Sequence, residues 1–265
     1  MKLRNSFLSR MGVALLAALL LAGCRGADGA AAMERVQTAF EEFATQATGA
    51  YAYADDAYGE GTVYFFVEDG AATLLYQVPR EGGLQETLVH QGKFYGKAAF
   101  AGMTEWAAAG DTGPDPAMPG FGALRNLLRA ELWQFVPTEA EPLRFILSAQ
   151  GKKQLRQQEI DGAQTMADIA ENDIFQANAA LMTDYAKASS YTNGTLTAVL
   201  SEDGRLNEIH WKLEVQRPQF VVNEQGEQGV SKEMSATTAA YLLKPLPLPA
   251  ADIQAKLAEA VAALP

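Results

Sequence analysis

The chain has 265 residues, a hydrophobic content of 48% and a formal net charge of −11 at pH 7. An acidic protein is repelled by phosphate backbones, which argues against nucleic acid as a partner. A single cysteine excludes a disulfide framework within the chain, while the apolar content is ample for a buried core.

The first 23 residues have the layout of a secretory signal peptide. Three basic residues precede the apolar stretch 11–21, which is shorter than the roughly 20 residues of a membrane-spanning helix. The tetrapeptide L-A-G-C at 21–24 resembles the bacterial lipobox, whose cysteine is acylated and becomes the first residue after cleavage. We therefore predict a signal peptide over 1–23 and membrane attachment through acyl chains on Cys24. An ordinary signal peptide with an incidental cysteine is the alternative.

The segment after the signal peptide predicts where the protein is anchored. Residues 1–23 carry three basic and no acidic residues, so their removal takes the net charge from −11 to −14. Small residues over 24–32 predict a short lipidated tether before a single domain over 33–265. Arg25 stands where an aspartate would resemble an inner-membrane retention signal. We therefore expect the inner leaflet of the outer membrane in a cell with two membranes, and an outward-facing anchor in a cell with one.

The first half of the domain combines helices with β-hairpins. Hydrophobic periodicity and turn residues predict a helix over 33–47, hairpins over 61–78 and 84–100, a Gly/Pro/Asp-rich loop over 107–120 and a helix over 121–132. The hairpin turns are predicted at Asp69-Gly70 and Gln91-Gly92, where glycine follows a polar residue between apolar strands.

The second half repeats this style. It predicts a strand over 143–147, two strands within 152–170 around Asp161-Gly162, a helix over 172–189, a hairpin over 194–215, a closing strand over 229–243, a Pro-rich segment and a helix over 250–264. Within the 194–215 hairpin, Ile209, Trp211, Leu213 and Val215 share one face while polar residues share the other. This alternation predicts an antiparallel sheet and an α+β fold.

One strand is apolar on both faces. Over 63–67, Val63 and Phe65 lie on one face and Tyr64 and Phe66 on the other. Such a strand in an antiparallel sheet must be covered on both sides. Helices can cover one face, and the other face then belongs either to a packed core or to a cavity for an apolar ligand. The sequence leaves both alternatives open.

Residue types that carry catalysis or bind metals are sparse. Only two histidines, His90 and His210, accompany the cysteine of the lipobox, and metal sites need several such ligands at fixed spacing. We predict no catalytic residue, no metal, no cofactor and no enzymatic activity, with an acid–base pair among the many carboxylates as the alternative. Tyr51, Tyr53 and Tyr58, interleaved with acids, either line a sugar or peptide groove or are strand residues with hydrated hydroxyls.

The order of the predicted elements resembles a known family. A helix leads into hairpins, a G-K-F-Y-G-K strand before a tryptophan, a Gly/Pro loop and helix, further strands, a helix and a strand–EDGR–strand pair. This order resembles the half-barrel of the bacterial lipoprotein carrier and lipoprotein-receptor family (LolA/LolB-like) and of the related mycobacterial lipid-carrying lipoproteins (LppX/LprG-like). The resemblance covers 33–245 and depends most on 92–106 and 194–215.

The resemblance implies a strongly curved antiparallel sheet around a hydrophobic cavity for acyl chains, with helices over one opening. The predicted helices over 33–47, 121–132 and 172–189 would form the lid. The inward-facing residues that it makes wall candidates are Phe65, Leu74, Phe145, Ile209, Trp211 and Leu213. The implied function is to bind or carry a lipid or lipoprotein acyl chain in the cell envelope. The alternative is a non-enzymatic interaction or sensor protein with a packed core and envelope protein partners.

Overall fold

The computed structural model describes residues 28–56, 59–111, 121–138, 141–168, 173–222 and 228–265. Within them the strands are β1 Thr48–Asp55, β2 Gly59–Glu68, β3 Ala71–Arg80, β4 Gly83–His90, β5 Lys93–Ala98, β6 Met103–Asp111, β7 Trp133–Val136, β8 Leu143–Leu147, β9 Ser190–Leu200, β10 Leu206–Val222 and β11 Gln228–Pro245. The α-helices are α1, residues 28–44, α2 Phe121–Leu127, α3 Ala149–Asp168, α4 Asp173–Ala188 and α5 Ala250–Ala262. Two 3₁₀ helices cover Ala99–Ala101 and Ala130–Leu132.

The strands form one antiparallel sheet in the order β6-β5-β4-β3-β2-β1-β11-β10-β9-β8-β7. Most neighbours in the sheet are also neighbours in the chain, and the pair β1–β11 joins the two halves, with Tyr53 opposite Leu243. The sheet is open, and β6 and β7 are its edges within the described residues. The predicted α+β class and the antiparallel sheet are therefore confirmed.

Local turn chemistry sets the register of the first hairpins. Asp69 and Gly70 have φ of 51° and 78°, and Gln91 and Gly92 have φ of 50° and 73°. Two-residue turns of this kind need positive φ at both central positions, where glycine is unstrained. Both predicted hairpins are confirmed. The 194–215 hairpin is also present, as β9 and β10.

All four predicted helices are present, with shifted or similar ends. Helix α1 already includes residue 28, the first described residue, so 28–32, which composition predicts as tether, is helical and Ala32 is 6% exposed. Helices α4 and α5 match the helices predicted over 172–189 and 250–264. The helix predicted over 121–132 ends at Leu127, because Arg129 has an extended backbone with φ −92° and ψ 124°.

The prediction of two strands within 152–170 is wrong, because residues 152–168 lie in the single helix α3, while 169 and 170 lie outside the described residues. Lys, Gln, Leu, Arg, Glu and Ala dominate the segment, and all of them favour helix. Ser148 begins the helix as its N-cap, since its Oγ accepts a hydrogen bond of 2.8 Å from the backbone N–H of Gly151. Gly162, which suggested a turn, is exposed and has open space around its Cα.

The prediction of a loop over 107–120 is wrong for 107–111, which belong to β6. Ala107 and Gly110 lie opposite Gly96 and Phe94 of β5. Register shifts between β5 and β6 let this Ala- and Gly-rich edge strand pair in spite of its low intrinsic strand preference. The remaining residues of the predicted loop, 112–120, lie outside the described residues.

The sheet is covered on both faces by helices. We call them the α1 face, which packs against α1 and α2, and the α5 face, which packs against α5. Val63 and Phe65 of β2 are buried in the cluster on the α1 face, while Tyr64 and Phe66 pack against the cluster on the α5 face. The expectation that both faces of this strand are covered is confirmed.

Helix α5 provides the cover on the second face. Ile253 and Leu257 are 2% and 3% exposed and contact Leu75 and Leu88 in one cluster. The ammonium of Lys256 lies 4.6 Å from the centre of the Tyr64 ring, within the range of a cation–π contact. The C-terminal helix, which lies beyond the family resemblance, is therefore part of the domain core.

Candidate functional site

The structure brings all six predicted wall residues to the α1 face. They come from strands β2, β3, β8 and β10. Five of them are buried in one apolar cluster: Phe65, Leu74, Phe145, Ile209 and Leu213. The sixth, Trp211, is half-buried and packs against this cluster. The strand alternation that selected them is thus reproduced in the sheet.

Helix α1 covers much of this cluster with its own side chains. Met33 and Phe40 are 1% and 0% exposed. The Phe40 ring centre lies 5.4 Å from that of Phe121 in α2, at an edge-to-face angle of 74°. Glu41 of α1 and Arg125 of α2 form two hydrogen bonds of 2.8 and 2.9 Å, which hold the pKa of Glu41 below its usual value. Protein groups therefore fill this part of the α1 face.

A row of stacked rings continues the same face on the three central strands. Tyr53 of β1, Tyr241 of β11 and Trp211 of β10 form this aromatic row. The ring centres of Tyr53 and Tyr241 are 6.4 Å apart at an interplanar angle of 12°, and those of Trp211 and Tyr241 are 6.4 Å apart at 23°. Tyr241 is buried, whereas Tyr53 and Trp211 keep part of their surface exposed. The row is a flat aromatic surface that the described helices do not fully cover.

A glycine on the neighbouring strand lets the row lie flat. A Cβ built at Gly61 of β2 would lie 2.8 Å from ring atoms of Tyr53. No real Cβ contact is this short, so the Tyr53 ring occupies the space above the glycine backbone. Gly61 is therefore a positioning residue for the aromatic row.

The phenols of this region are uncharged at neutral pH. Burial, above all, raises the pKa of Tyr241 well above the usual value of tyrosine, and the Asp55 carboxylate raises it further. Burial likewise raises the pKa of Tyr76, whose neighbour Tyr53 adds to the effect. For Tyr53 the rise from burial exceeds the opposing effect of Arg80. The row thus offers neutral aromatic rings to a ligand.

Two indole N–H groups on this face of the sheet are shielded from solvent but differ in their hydrogen bonding. Trp133 Nε1 donates to the Leu127 carbonyl over 2.6 Å. Trp211 Nε1 is shielded from solvent, but no group of the described chain accepts its hydrogen. A buried donor without an acceptor costs about 1–3 kcal/mol. Trp211 therefore places in the aromatic row an N–H group that has no acceptor in the described part of the chain.

A polar cluster attaches α3 and α4 to the sheet beside the row. Arg217 of β10 donates a hydrogen bond of 2.7 Å to Glu159 of α3, and its guanidinium lies 5.5 Å from the ring centre of Tyr185 in α4. Burial and the Glu159 carboxylate raise the pKa of Tyr191, so this phenol is also neutral. Tyr185 in turn stacks on Phe220, with ring centres 4.5 Å apart. These contacts fix the helix pair on β9 and β10.

Three surface clefts have volumes of about 760, 540 and 630 Å³. The largest lies where the end of α1, the β9–β10 turn and residues 244–248 meet, and it mixes polar with apolar groups. The second lies beside Asp56 and His210, and the third beside His90 and α5. None of the six predicted wall residues lines any of these three clefts.

Other sequence candidates are placed apart from the aromatic row. His90 Nδ1 lies 3.0 Å from Thr73 Oγ1, on the α5 side of the sheet, and the described residues hold no group of three His, Cys, Asp or Glu that could bind a metal ion. Tyr51 is buried in the α1 cluster, and Tyr58 lies outside the described residues, as does Cys24. No helix in the described ranges is both long and apolar enough to cross a membrane.

Sequence reasoning missed the centre of the aromatic row. Tyr241 belongs to the predicted closing strand, but Leu242 and Leu243 follow it without polar alternation, so the pattern does not name its neighbours. Comparison of the sequence with models of known protein families gives no match, and comparison with curated proteins also gives none. The function of the chain is therefore inferred from the chemistry of the α1 face.

Proposed function

We propose that the protein is a lipid-anchored, non-enzymatic protein of a bacterial cell envelope that binds the acyl chain of a lipid or lipoprotein. The aromatic row carries this proposal. It extends an apolar core as a flat surface that stays partly exposed, and its phenols are uncharged at neutral pH. Ligand sites of this kind are mostly apolar with a few well-placed polar groups.

In this proposal the open sheet curves as a half-barrel around α1 and α2, as in the lipoprotein-carrier family that the order of elements resembles. The helices then cover one opening, and the acyl chain lies along the α1 face next to the aromatic row. Each CH₂ moved out of water contributes about 0.8 kcal/mol, so a long chain binds without any charged contact.

Acyl chains on Cys24 hold the domain at the membrane in this proposal. Only three residues, 25–27, separate the cysteine from residue 28, the first described residue of α1. The four Cα–Cα steps from residue 24 to residue 28 span at most about 14 Å even when the chain is fully extended. Helix α1 therefore stays close to the lipid headgroups, and a lipid has a short path from the bilayer to the α1 face.

The experiment uses the full chain purified from bacterial membranes in a fluorinated surfactant, whose chains do not mix with hydrocarbon. Native mass spectrometry should detect a bound lipid, and the lipid-stripped protein should take up a pyrene-labelled fatty acid. Tyr53→Ala should weaken uptake about tenfold, since it removes roughly 1.5 kcal/mol of apolar contact. Tyr95→Ala is the matched control, because Tyr95 packs on the α5 face. A protein that carries no lipid and takes up no probe would refute the proposal.

One observation favours a second candidate, an interaction or sensor protein with a packed core. Phe65, Leu74 and Ile209 are 0% exposed and lie beneath side chains of α1. A core filled in this way needs no ligand. Under this candidate neither tyrosine variant changes probe uptake, and envelope proteins rather than lipids copurify with the chain.

A further inference from the structure

The unpaired indole of Trp211 indicates what chemistry the ligand brings to the aromatic row. Native structures seldom leave a buried hydrogen-bond donor without an acceptor, so such a group indicates that an acceptor is supplied by something other than the chain. Trp133 shows that an indole on this side of the sheet can be satisfied by the chain itself. Trp211 stacks on Tyr241 and packs against the α1 cluster, but its Nε1 has no acceptor in the described part of the chain.

The rings around Trp211 restrict the kind of acceptor. The indole lies on the α1 face beside the Tyr241 ring, next to apolar side chains such as Ile209 and Leu213. Moving an ionised carboxylate from water onto this apolar surface costs far more free energy than moving a neutral carbonyl oxygen. A pure hydrocarbon would leave the N–H unsatisfied.

We infer that Trp211 Nε1 donates a hydrogen bond to the ester or amide carbonyl of a bound acyl chain. This inference rests on the proposed function and adds the chemical class of the preferred ligand: a neutral acyl ester or amide, which binds more tightly than a hydrocarbon or a free fatty acid of equal length. The carbonyl lies at the aromatic row, and the hydrocarbon chain follows the apolar surface of the α1 face.

The test follows the indole N–H resonances of the three tryptophans in the ¹⁵N-labelled full chain, kept in fluorinated surfactant. The probes are methyl palmitate, heptadecane with the same number of carbons and no oxygen, and palmitate. Methyl palmitate should move the Trp211 indole proton downfield, and heptadecane should not. The Trp133 resonance is the internal control, because its N–H is already bonded to Leu127.

A variant measures the strength of the bond. Trp211→Phe keeps an aromatic ring and removes the N–H, so it should weaken methyl palmitate binding about fivefold, the equivalent of a typical hydrogen bond. Heptadecane affinity should change less than twofold. Trp133→Phe should not discriminate between the two probes. Palmitate should bind the wild-type protein more weakly than its methyl ester.

The outcomes separate the inference from the proposed function. If neither methyl palmitate nor heptadecane binds the wild-type chain, the proposed function fails and the inference fails with it. If both bind but the Trp211 indole proton keeps its position, only the hydrogen bond is refuted. The resonance of the wild-type chain decides this even when Trp211→Phe does not fold.

Discussion

The two faces of the sheet differ in how completely helices cover their apolar surfaces. The cluster on the α5 face includes Leu75, Leu88 and Trp106, and one helix covers it with Ile253 and Leu257. The cluster on the α1 face extends across the sheet from β4 to β7, is covered in part by α1 and α2, and then continues into the half-buried aromatic row. The first face is accounted for by packing alone. The second face retains exposed ring surface and an unused donor, which packing does not explain.

Helix α1 is expected to contribute most to stability. Phe40→Ala should lower the free energy of unfolding by about 3–5 kcal/mol, because it leaves a cavity where the ring contacts Phe121. Urea unfolding of the full chain measures the change. The control Glu34→Ala is at an exposed position of the same helix and should change stability by less than about 0.5 kcal/mol. A small loss for Phe40→Ala would mean that α1 is a detachable cover rather than core.

The α5 face should contribute to stability and not to binding. Leu257→Ala should cost about 2–4 kcal/mol, since the side chain is 3% exposed against the sheet. Uptake of the pyrene-labelled fatty acid, measured well below the unfolding midpoint, should stay unchanged. Loss of uptake in a folded Leu257→Ala variant would remove the functional distinction between the two faces.

Gly61 tests the geometry of the aromatic row. Gly61→Ala places a methyl group 2.8 Å from the Tyr53 ring, so the ring must move at a cost of about 1–3 kcal/mol. Probe affinity should fall together with stability. Gly96→Ala is the matched control, because nothing lies within 4 Å of its added Cβ. Equal behaviour of the two variants would show that Tyr53 does not need to lie flat.

The smallest expected effect comes from the neutral phenols and is confined to alkaline pH. The pKa of Tyr76 and of Tyr241 is raised above the ordinary 10.0 in the folded chain, so the folded state holds these protons more tightly than the unfolded state. Their contribution to stability is complete below pH 10 and is lost as the pH rises further. Phenolate absorbance of the wild-type chain should therefore show tyrosines that ionise at higher pH than an ordinary tyrosine. Tyr76→Phe and Tyr241→Phe should each remove one of these late-ionising phenols. Early titration of both phenols would mean that the row is hydrated.

Sequence patterns predicted the fold where the signal is local. The turn pairs Asp69-Gly70 and Gln91-Gly92 need positive φ, and their neighbours alternate, so both hairpins were recognisable. The segment 152–170 was misassigned, because Asp161-Gly162 resembled a turn and the N-cap Ser148 went unnoticed. An Asp-Gly pair is a weak turn signal when helix-forming residues flank it on both sides, since a helix tolerates one exposed glycine at a cost of about 1 kcal/mol.

The candidate site was predicted only in parts. Trp211 was selected as a wall residue and Tyr53 as a groove residue, in two unconnected interpretations. Tyr241 lies between them only because β11 pairs with both β1 and β10. Pairings between distant segments are set by the whole sheet and leave no short-range pattern in the chain, so the stacking could not be foreseen.

By itself, the sequence determined strands β2–β5 and β8–β11 and helices α1, α2, α4 and α5, because hydrophobic period, turn residues and caps act over a few neighbouring residues. It did not predict β1, β6, β7 or the single helix α3. It also determined that β2 must be buried on both faces, since its apolar residues do not alternate. Only the tertiary structure decided that α5 covers one face and α1 the other, and that one indole is left without an acceptor. Those outcomes depend on which segments meet in space, and packing of the whole domain selects them.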